Sequence, residues 1–296
     1  MILVFGSINA DLVFRMERTP VPGQTLLADA LTIQPGGKGA NQAVAAARDG
    51  ADVRMIGVVG EDGLAAMALE GLQAARVDLS GVRRLSTTAT GCASICTDRE
   101  GRNQIAVALG ANRHVRADQV EDAFLGQGTI VLLQMEGDVD HITTVLRRAR
   151  VAGCRTVLNL APAVMLDQDV LQLVDLLVVN EDEGTALADH LGCRADAASL
   201  HAALTVGVIR TLGARGAEAM TAEGAIRMTA PAVVAIDTTA AGDCFVGVLA
   251  AALDRGAGLE AAMRRACVAA ALACTVAGSQ RSLPDSATIE SSALSI

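Results

Sequence analysis

The sequence predicts an α/β fold in which a central, mostly parallel β-sheet is flanked by helices and a small second β-sheet forms a lid. Short β-branched or apolar runs alternate with Ala-rich stretches of helical spacing, which is typical of βαβ units around a parallel sheet. Two stretches, 13–34 and 91–107, interrupt this alternation. We expect residues 1–296 to form a single domain, with these two stretches inserted as the lid.

The elements of the main sheet follow in order along the chain. Residues 2–5 and 53–59 are strand candidates, and each is followed by a stretch with helical spacing, at 41–50 and at 65–75. Later runs have the continuous apolar character of parallel strands that are covered on both faces. These further strand candidates are residues 129–134, 156–160, 176–179 and 206–211.

Residues 91–107 predict a β-hairpin, because alternating residues flank the charged turn DREGR at 98–102. This hairpin is inserted between core strands and not at a chain end, which favours a flap that moves over a site. A surface hairpin without a catalytic role is the alternative. Near the other end, residues 259–276 have helical spacing, and the polar tail after Pro284 is expected to fray.

Composition excludes several classes of function. Apolar residues make up 51 % of the chain, but no run approaches the roughly 20 apolar residues of a membrane span. The first residues lack the basic start of a signal peptide, so we expect a cytoplasmic protein. A net charge of −9 disfavours nucleic acid as a partner. Seven cysteines without a C-x-x-C pair argue against a disulfide framework or a zinc site.

Residues 237–243 (DTTAAGD) lead into the apolar run 244–253, which predicts a helix. Small residues at a helix start leave backbone N–H groups uncovered, and these bind phosphate oxygens together with the positive helix end. The carboxylate of Asp243 would compete with such an anion unless it accepts the proton of an attacking hydroxyl. An ordinary first-turn carboxylate, which stabilises the helix by about 1 kcal/mol, is the alternative.

Residues 36–41 (GGKGAN) precede a predicted helix at 42–48. They do not form a Walker A loop, because Gly39 follows Lys38 where Ser or Thr should hold Mg²⁺, and Thr32 stands where the first Gly belongs. The glycines permit close approach of the backbone to a ligand, while Lys38 and Asn41 supply hydrogen-bond donors. A purely structural turn before a helix is the competing interpretation.

Residues 6–11 (GSINAD) follow the first strand candidate. At the carboxyl edge of a parallel strand, side chains project into the ligand crevice. Asn9 and Asp11 alternate, so both face the same side if the chain stays extended, and they offer a donor and acceptors to a vicinal diol. A turn capped by Asn and Asp is the alternative.

Polar residues also follow the later strand candidates. Glu136 follows 129–134, Asn159 follows 156–158, and Asn180 with Glu183 follows 176–179. The N-x-x-E spacing suits a carboxylate that reaches Mg²⁺-bound phosphates through water, since Mg²⁺ keeps several of its waters.

Residues 211–216 (TLGARG) pass from a strand into a glycine-containing turn. This turn either lines a nucleotide with its backbone or is a plain hairpin turn.

Taken in this order, these stretches resemble the ribokinase family of carbohydrate kinases over residues 6–282. Residues 36–41 are similar to the amino-terminal signature of that family, and residues 237–243 are similar to the carboxyl-terminal one. The resemblance implies an α/β sandwich with a small β lid and phosphorylation of a primary sugar hydroxyl. It also implies ATP and Mg²⁺ as cofactors and a bound K⁺ ion as activator.

The resemblance implies a role for each matching residue. Asp243 is the expected base, and the backbone N–H groups of Ala240, Ala241 and Gly242 are the expected anion hole. The residues expected to hold the sugar are Asn9, Asp11, Gly37, Lys38, Asn41, Glu136 and Asp243. Those expected beside the nucleotide are Asn180, Glu183, Thr211, Gly213, Gly216, Gly242 and Cys267. Those expected around K⁺ are Asp237, Thr239, Ala273, Val276, Gly278 and Ser282.

One of these residues departs from the family pattern. Cys267 occupies a helix that borders the adenine pocket in the family, where a more polar residue is often found. Nucleotide preference therefore stays open.

The polar set around Asn9 and Lys38 suits a neutral polyol, and aromatic residues are too few for extensive cover of a nucleobase. Arg99 and Arg102 lie at the predicted hairpin tip, where a solvated turn is favoured over a phosphate clamp. Ribose is therefore the first choice, with deoxyribose, pseudouridine or another sugar open. A non-catalytic sugar or nucleotide sensor is the alternative of another class, and the complete DTTAAGD stretch counts against it.

The lid also bears on assembly. Apolar alternation at Ala93, Ile95, Ile105 and Val107 permits a homodimer that pairs through the lid sheets. The same side chains could instead cover the sugar.

Overall fold

The computed structural model describes residues 1–100 and 102–293. Its strands are β1 (Ile2–Phe5), β2 (Asn9–Arg15), β3 (Ala30–Gly36), β4 (Val53–Gly60), β5 (Val82–Leu85), β6 (Gly91–Thr97), β7 (Asn103–Ala108), β8 (Ile130–Leu133), β9 (Arg155–Asn159), β10 (Leu176–Val179), β11 (Gly207–Thr211), β12 (Ala217–Thr221) and β13 (Gly224–Met228). Its α-helices are α1 (Lys38–Arg48), α2 (Gly63–Ala74), α3 (Val139–Ala152), α4 (Gln168–Leu171), α5 (Glu181–Leu191), α6 (Ala197–Leu204), α7 (Ala241–Asp254), α8 (Leu259–Ala273) and α9 (Ser286–Ala293).

The larger sheet is mostly parallel, as the sequence predicts. Its nine strands run in the order β13-β12-β11-β10-β9-β8-β1-β4-β5. The strands from β11 to β5 are parallel, and Ile2 of β1 pairs with Val53 on one side and with Ile130 on the other. Among the described strands of this sheet, only the pairings of β12 with β11 and of β12 with β13 are antiparallel, at one edge. The carboxyl ends of the parallel strands therefore meet at one edge of the sheet, where ligand crevices form in such folds.

The smaller sheet has the strand order β3-β2-β6-β7. The predicted hairpin is present, because β6 and β7 pair antiparallel with Thr97 opposite Asn103; Gly101 of its turn lies outside the described residues. The sheet begins at Asn9, four residues before the predicted boundary at 13. Asn9 and Asp11 therefore lie on a strand of the small sheet and not in a loop at the edge of the large one.

Helices cover both faces of the large sheet. Ile2 and Val4 of β1 pack into the core beneath α1, α7 and α8, whereas Leu3 and Phe5 pack into the core beneath α3, α5 and α6. This division follows from the alternation of side chains along a strand. A Cβ atom at Gly247 in α7 would lie 2.4 Å from the carbonyl oxygen of Gln42, so α7 packs closely against α1.

Residues 286–293 of the tail after Pro284 do not fray as expected but form α9, and residues 294–296 of the tail lie outside the described residues. Asp285 caps this helix, because its Oδ1 accepts a hydrogen bond from the N–H of Thr288 at 2.8 Å. Ile289 is fully buried against the core. One buried apolar residue and one capping side chain thus outweigh the polar composition of the tail.

Within residues 1–100 and 102–293, no helix has both the length and the apolar character needed to cross a bilayer. All seven cysteines are free thiols.

Candidate active site

The candidate site lies where the start of α1 meets the connection between β1 and β2. Gly37, which immediately precedes α1, has φ 89°, and a Cβ atom there would lie 2.8 Å from the backbone nitrogen of Asn9. The N–H of Ala40 donates to the carbonyl of Ser7 at 2.9 Å. Both the backbone conformation and the close approach require glycine at this position. The GGKGAN turn is thereby fixed against the start of the small sheet.

Asp243 lies in the first turn of α7 and is 8 % exposed. Its Oδ2 accepts a hydrogen bond from Asn41 Nδ2 at 2.9 Å, and its Oδ1 accepts one from Gln42 Nε2 at 2.9 Å. The two signature stretches are therefore joined directly through the carboxylate. The sequence analysis did not single out Gln42, since nothing in the local pattern shows which helix faces it.

The start of α7 presents backbone donors. Ala240 has φ 60° and ψ 9°, a left-handed conformation that costs a non-glycine residue roughly 1–2 kcal/mol. Among the described residues, the N–H groups of Ala240, Gly242 and Asp243 have no acceptor, whereas the N–H of Ala241 donates to the carbonyl of Thr238 at 3.2 Å. The structure thus leaves Ala241 less available as an anion-hole donor than the sequence analysis expects. Backbone strain next to free donors is typical of functional sites.

Lys38 is surrounded by carboxylates without being bound to one of them. Asp243 raises the pKa of Lys38 most, and Glu136 and Glu183 add to this effect against the opposing influence of burial. No acidic group in the described part of the chain lies within 4.0 Å of its ammonium group. The lysine is therefore fully charged and retains donors for a ligand.

Asp11 is 6 % exposed and has no hydrogen-bond donor among the residues that the structure describes. Burial raises its pKa to about 7, and repulsion from Glu136 and Asp243 contributes in the same direction. A buried carboxyl group without a partner is unfavourable. Ligand hydroxyl groups would remove this cost by donating to it.

Neighbouring side chains hold Asn9 and Glu136 in place. Asn112 Nδ2 donates to Asn9 Oδ1 at 2.7 Å, so the donor end of the Asn9 amide is directed elsewhere. Glu136 Oε2 accepts from Ser7 Oγ at 2.6 Å and from the N–H of Lys38 at 3.1 Å. The sequence analysis missed Asn112, which lies far along the chain in a short 3-10 turn.

A cavity of about 220 Å³ joins the base to the predicted nucleotide side. Its lining includes Lys38, Asn159, Asn180, Glu183, Thr211, Gly242 and Asp243. The N-x-x-E motif is a capping box, because Asn180 Oδ1 accepts from the N–H of Glu183 and Glu183 Oε2 accepts from the N–H of Asn180, both at 2.8 Å. Burial raises the pKa of Glu183, and Asp243 adds to this effect.

The other predicted nucleotide-side residues lie apart from this lining. Gly213 and Gly216 form the turn between β11 and β12, and a Cβ atom at Gly216 would lie 2.0 Å from the carbonyl oxygen of Met228. The hairpin interpretation therefore describes the geometry of this turn. Cys267 is 4 % exposed in α8, and burial raises its pKa to about 11.

The predicted K⁺ residues form a junction between the DTTAAGD stretch and the end of α8. Asp237 Oδ1 accepts from the N–H of Thr239 at 2.9 Å, and Oδ2 accepts from the N–H of Gly278 at 2.8 Å. Burial opposes ionisation of Asp237, but these hydrogen bonds outweigh it and lower its pKa. Ala273 ends α8, Val276 is exposed, and Ser282 Oγ donates to the carbonyl of Ser279.

A second cavity, of about 650 Å³, lies between the small sheet and residues 235–239. Val13 and Arg15 of β2 line it together with Ile95 and Thr97 of β6. Val13 and Arg15 continue the alternation that begins with Asn9 and Asp11. One face of the small sheet therefore extends from the candidate site over an open space.

Comparison with known proteins places the chain in a family. The model of the pfkB family carbohydrate kinases matches residues 1–286. The chain is 36 % identical over 289 residues to ribokinase of Haemophilus influenzae, covering 95 % of this chain and 94 % of that protein.

Solved structures agree with this assignment. The crystal structure of ribokinase from Thermotoga maritima superposes with a TM-score of 0.92 at 30 % identity, covering 100 % of this chain and 99 % of that one. Arabidopsis thaliana ribokinase complexed with ribose and ATP superposes with a TM-score of 0.86 at 29 % identity, covering 99 % and 98 %. The resemblance noted in the sequence is thereby confirmed, and this chain belongs to the pfkB family of carbohydrate kinases.

Proposed function

We propose that this carbohydrate kinase transfers the γ-phosphoryl group of ATP to the primary hydroxyl of a pentose, with ribose as the first choice. The observation that carries the proposal is the buried Asp243 carboxylate in the first turn of α7, next to the uncovered N–H groups of Ala240 and Gly242. The similarity to ribokinases, one of them complexed with ribose and ATP, supports the choice of substrates.

Phosphoryl transfer asks little covalent chemistry of the protein, so positioning and charge stabilisation dominate. Asp243 accepts the proton of the sugar hydroxyl as that oxygen attacks the γ-phosphorus in line. The free N–H groups at the start of α7 donate to the oxygens of the transferred group, where negative charge grows. Lys38, which also lines the cavity, adds a positive charge.

The sugar is held on the side of the small sheet. Asp11 accepts from neighbouring hydroxyl groups, and Asn9 donates with the amide end that Asn112 leaves free. Asn41, Gly37, Glu136 and Lys38 complete the proposed set. These groups lie at the start of β2 or at the start of α1, and Glu136 contacts α1 through the N–H of Lys38.

Mg²⁺ fits the nucleotide side of the cavity. No group of three or more acidic, His or Cys side chains within the described residues could hold a metal ion, but Mg²⁺ needs only one or two carboxylates and keeps several waters. Glu183 uses one oxygen in its capping box, and Asn180 with Glu183 would hold the ion. When bound, Mg²⁺ offsets the charge of the phosphates.

K⁺ fits the junction around Asp237. The carboxylate joins the turn before α7 to the turn after α8, and backbone carbonyl oxygens are suitable ligands of K⁺. Asp237, Thr239, Ala273, Val276, Gly278 and Ser282 would hold it, several of them through the backbone. Bound there, the ion would fix the start of α7 next to Asp243.

The use of ATP suits a cytoplasmic location, and the exposed edge of the small sheet suits a homodimer. Ala93 and Ile95 are buried, whereas Ile105 and Val107 on the outer strand β7 are 55 % and 46 % exposed. Exposed apolar residues on an unpaired edge strand favour pairing with a second copy of the chain.

A coupled assay of ADP release tests the function directly. The purified chain is assayed with ATP and Mg²⁺ against ribose, deoxyribose, pseudouridine and other pentoses, with and without K⁺. We expect the largest kcat/KM with ribose and a phosphorylated primary hydroxyl in the product. Saturable ribose binding without ADP release from any sugar would contradict the kinase and favour a sugar sensor.

A further inference from the structure

Two chains of side-chain amides end on the two oxygens of Asp243. In one, Gln134 Nε2 donates to Gln42 Oε1 at 2.7 Å, and Gln42 Nε2 donates to Asp243 Oδ1 at 2.9 Å. In the other, Gln280 Nε2 donates to Asn41 Oδ1 at 3.1 Å, and Asn41 Nδ2 donates to Asp243 Oδ2 at 2.9 Å. All of these side chains are buried, with no more than 8 % exposed.

The direction of each chain is set by Asp243. An ionised carboxylate only accepts hydrogen bonds, whereas a side-chain amide donates at one end and accepts at the other. Asp243 therefore accepts from the amide nitrogens of Gln42 and Asn41. The amide oxygens of these two residues consequently point toward Gln134 and Gln280. The second N–H of Gln42 is also committed, because it donates to Asn159 Oδ1 at 3.0 Å. None of these amides can flip without bringing two acceptors together.

The direction of each chain leaves the amide oxygen of its outer glutamine without a hydrogen bond among the described residues. Gln134 Oε1 and Gln280 Oε1 are buried without a hydrogen-bond partner in the described structure, which is unfavourable and calls for an explanation. Each lies against a glycine. A Cβ atom at Gly6 would lie 2.0 Å from Gln134 Oε1, and one at Gly71 would lie 1.8 Å from Gln280 Oε1. Gly71 is inside α2, where glycine is a poor helix former.

We propose that Gln42 and Gln280 are positioning residues that hold the two oxygens of Asp243 through these one-directional amide chains, leaving its remaining lone pairs for the attacking hydroxyl. Neither side chain needs to touch the sugar. The proposal rests on the proposed kinase function, in which Asp243 is the base.

Gln42→Met removes the donor to Oδ1 and keeps a side chain of similar length. We expect kcat to fall roughly tenfold at pH 7 because the base is misplaced, with the KM for ATP unchanged. The KM for ribose should stay within a few-fold of the wild type, because the substitution misplaces the base and removes no contact to the sugar. Gln280→Met should lower kcat in the same way by a smaller factor.

Gln119→Met is the matched control. Gln119 also makes three hydrogen bonds, to the N–H of Arg116 and to the carbonyls of Gly57 and Gly81, but none connects it to Asp243. Its kcat and KM values should match those of the wild type. An unchanged kcat in Gln42→Met, or an equal loss of kcat in Gln119→Met, would overturn the proposal. If Gln42→Met does not fold, the kcat of Gln280→Met decides in the same way.

A crystal structure of Gln42→Met, compared with that of the wild type, shows the orientation of the Asp243 carboxylate without catalysis. A rotated carboxylate supports the amide chains even if no sugar is phosphorylated, so this test is separate from that of the kinase function. An unchanged carboxylate in this variant contradicts the chains.

Gly71→Ala tests the outer end of the second chain from a helix that does not reach the site. The added methyl group should displace Gln280 and lower kcat, as Gln280→Met does. Gly63→Ala is the control in the same helix, because a Cβ atom there meets nothing within 4 Å, and it should leave kcat unchanged. Equal kcat values for the two alanine variants would contradict the role of Gln280.

Discussion

Asp11 shows how one residue can serve a ligand at the expense of the fold. Its carboxyl group is buried beside Glu136 and Asp243, and its pKa is raised to about 7. A folded-state pKa above the unfolded value means that the native state binds the proton more tightly. The protonated carboxyl group is therefore tolerated at low pH, and the fold loses stability as the pH rises toward and through 7.

Asp11→Asn should stabilise the protein at pH 8 and leave its stability near pH 4 almost unchanged. A shift of about three pKa units corresponds to a gain in the free energy of unfolding of up to about 4 kcal/mol at the higher pH. Urea unfolding at both pH values measures this difference. Asp29→Asn, at an exposed position immediately before β3, is the control and should change stability by less than about 0.5 kcal/mol. An equal gain at pH 4 and pH 8 would contradict the assigned cause.

At the level of residues, the sequence predicts groups that carry their own chemical signal. Asp243, Lys38 and Asn41 stand in glycine-rich or small-residue stretches before helices, and the structure brings all three to one place. Gln42 and Asn112 carry no such signal. Their partners lie 201 and 103 residues away along the chain, so only the packing of α7 on α1 and of the small sheet on the 3-10 turn reveals them.

The helices around the site are joined by a buried charge at the end of α1. Asp49 Oδ2 accepts from Arg255 at 2.7 Å, and its Oδ1 accepts from Arg265 Nε at 2.9 Å. Arg265 also donates to Ser286 Oγ at the start of α9. The Asp49 carboxylate is fully buried, and it connects the end of α1 to the end of α7 and, through Arg265, to the middle of α8 and the start of α9. These contacts hold the two helices that carry the candidate site.

Asp49→Ala should destabilise the protein by about 3 kcal/mol, because it leaves two arginines without their partner in a partly buried position. Thermal unfolding and urea unfolding measure the loss. Asp189→Ala, at an exposed position in α5, is the control and should stay within about 0.5 kcal/mol of the wild type. A comparable loss in both variants would show that the junction contributes no specific stability.

At the level of elements, hydrophobic pattern predicts strands better than helix starts. The expected strands at 2–5 and 176–179 have the observed bounds, because continuous apolar runs coincide with buried parallel strands. By contrast, α1 begins at Lys38 and not at the predicted 41 or 42, since its first turn is glycine-rich. α9 was missed because its stability depends on Ile289 packing against the core.

The whole molecule combines a covered sheet with one that has a free edge. The large sheet is enclosed by helices, whereas β7 of the small sheet is exposed along its length. The sequence predicts the hairpin but not where the small sheet joins the site, because the place of β2 beside β6 depends on a long-range parallel pairing. This pairing aligns Asn9 and Asp11 with Gly91 and Ala93.

If the free edge joins two copies of the chain, sedimentation of the wild type should give a dimer. Ile105→Lys should give a monomer, because a charge on the exposed edge strand opposes pairing. Ile236→Lys, at a 69 % exposed position outside the sheet, is the control and should remain dimeric. A monomeric wild type at assay concentration would contradict the proposed homodimer.

The central claim is that Asp243 removes the proton from the sugar hydroxyl while the start of α7 binds the transferred phosphoryl group. Asp243→Asn tests it most directly, since asparagine keeps the shape but cannot act as the base. Ribose binding by calorimetry and turnover by ADP release are measured on the same preparation. We expect ribose affinity within a few-fold of the wild type and a kcat at least about a hundredfold lower. Near-normal turnover with intact ribose binding would contradict the account.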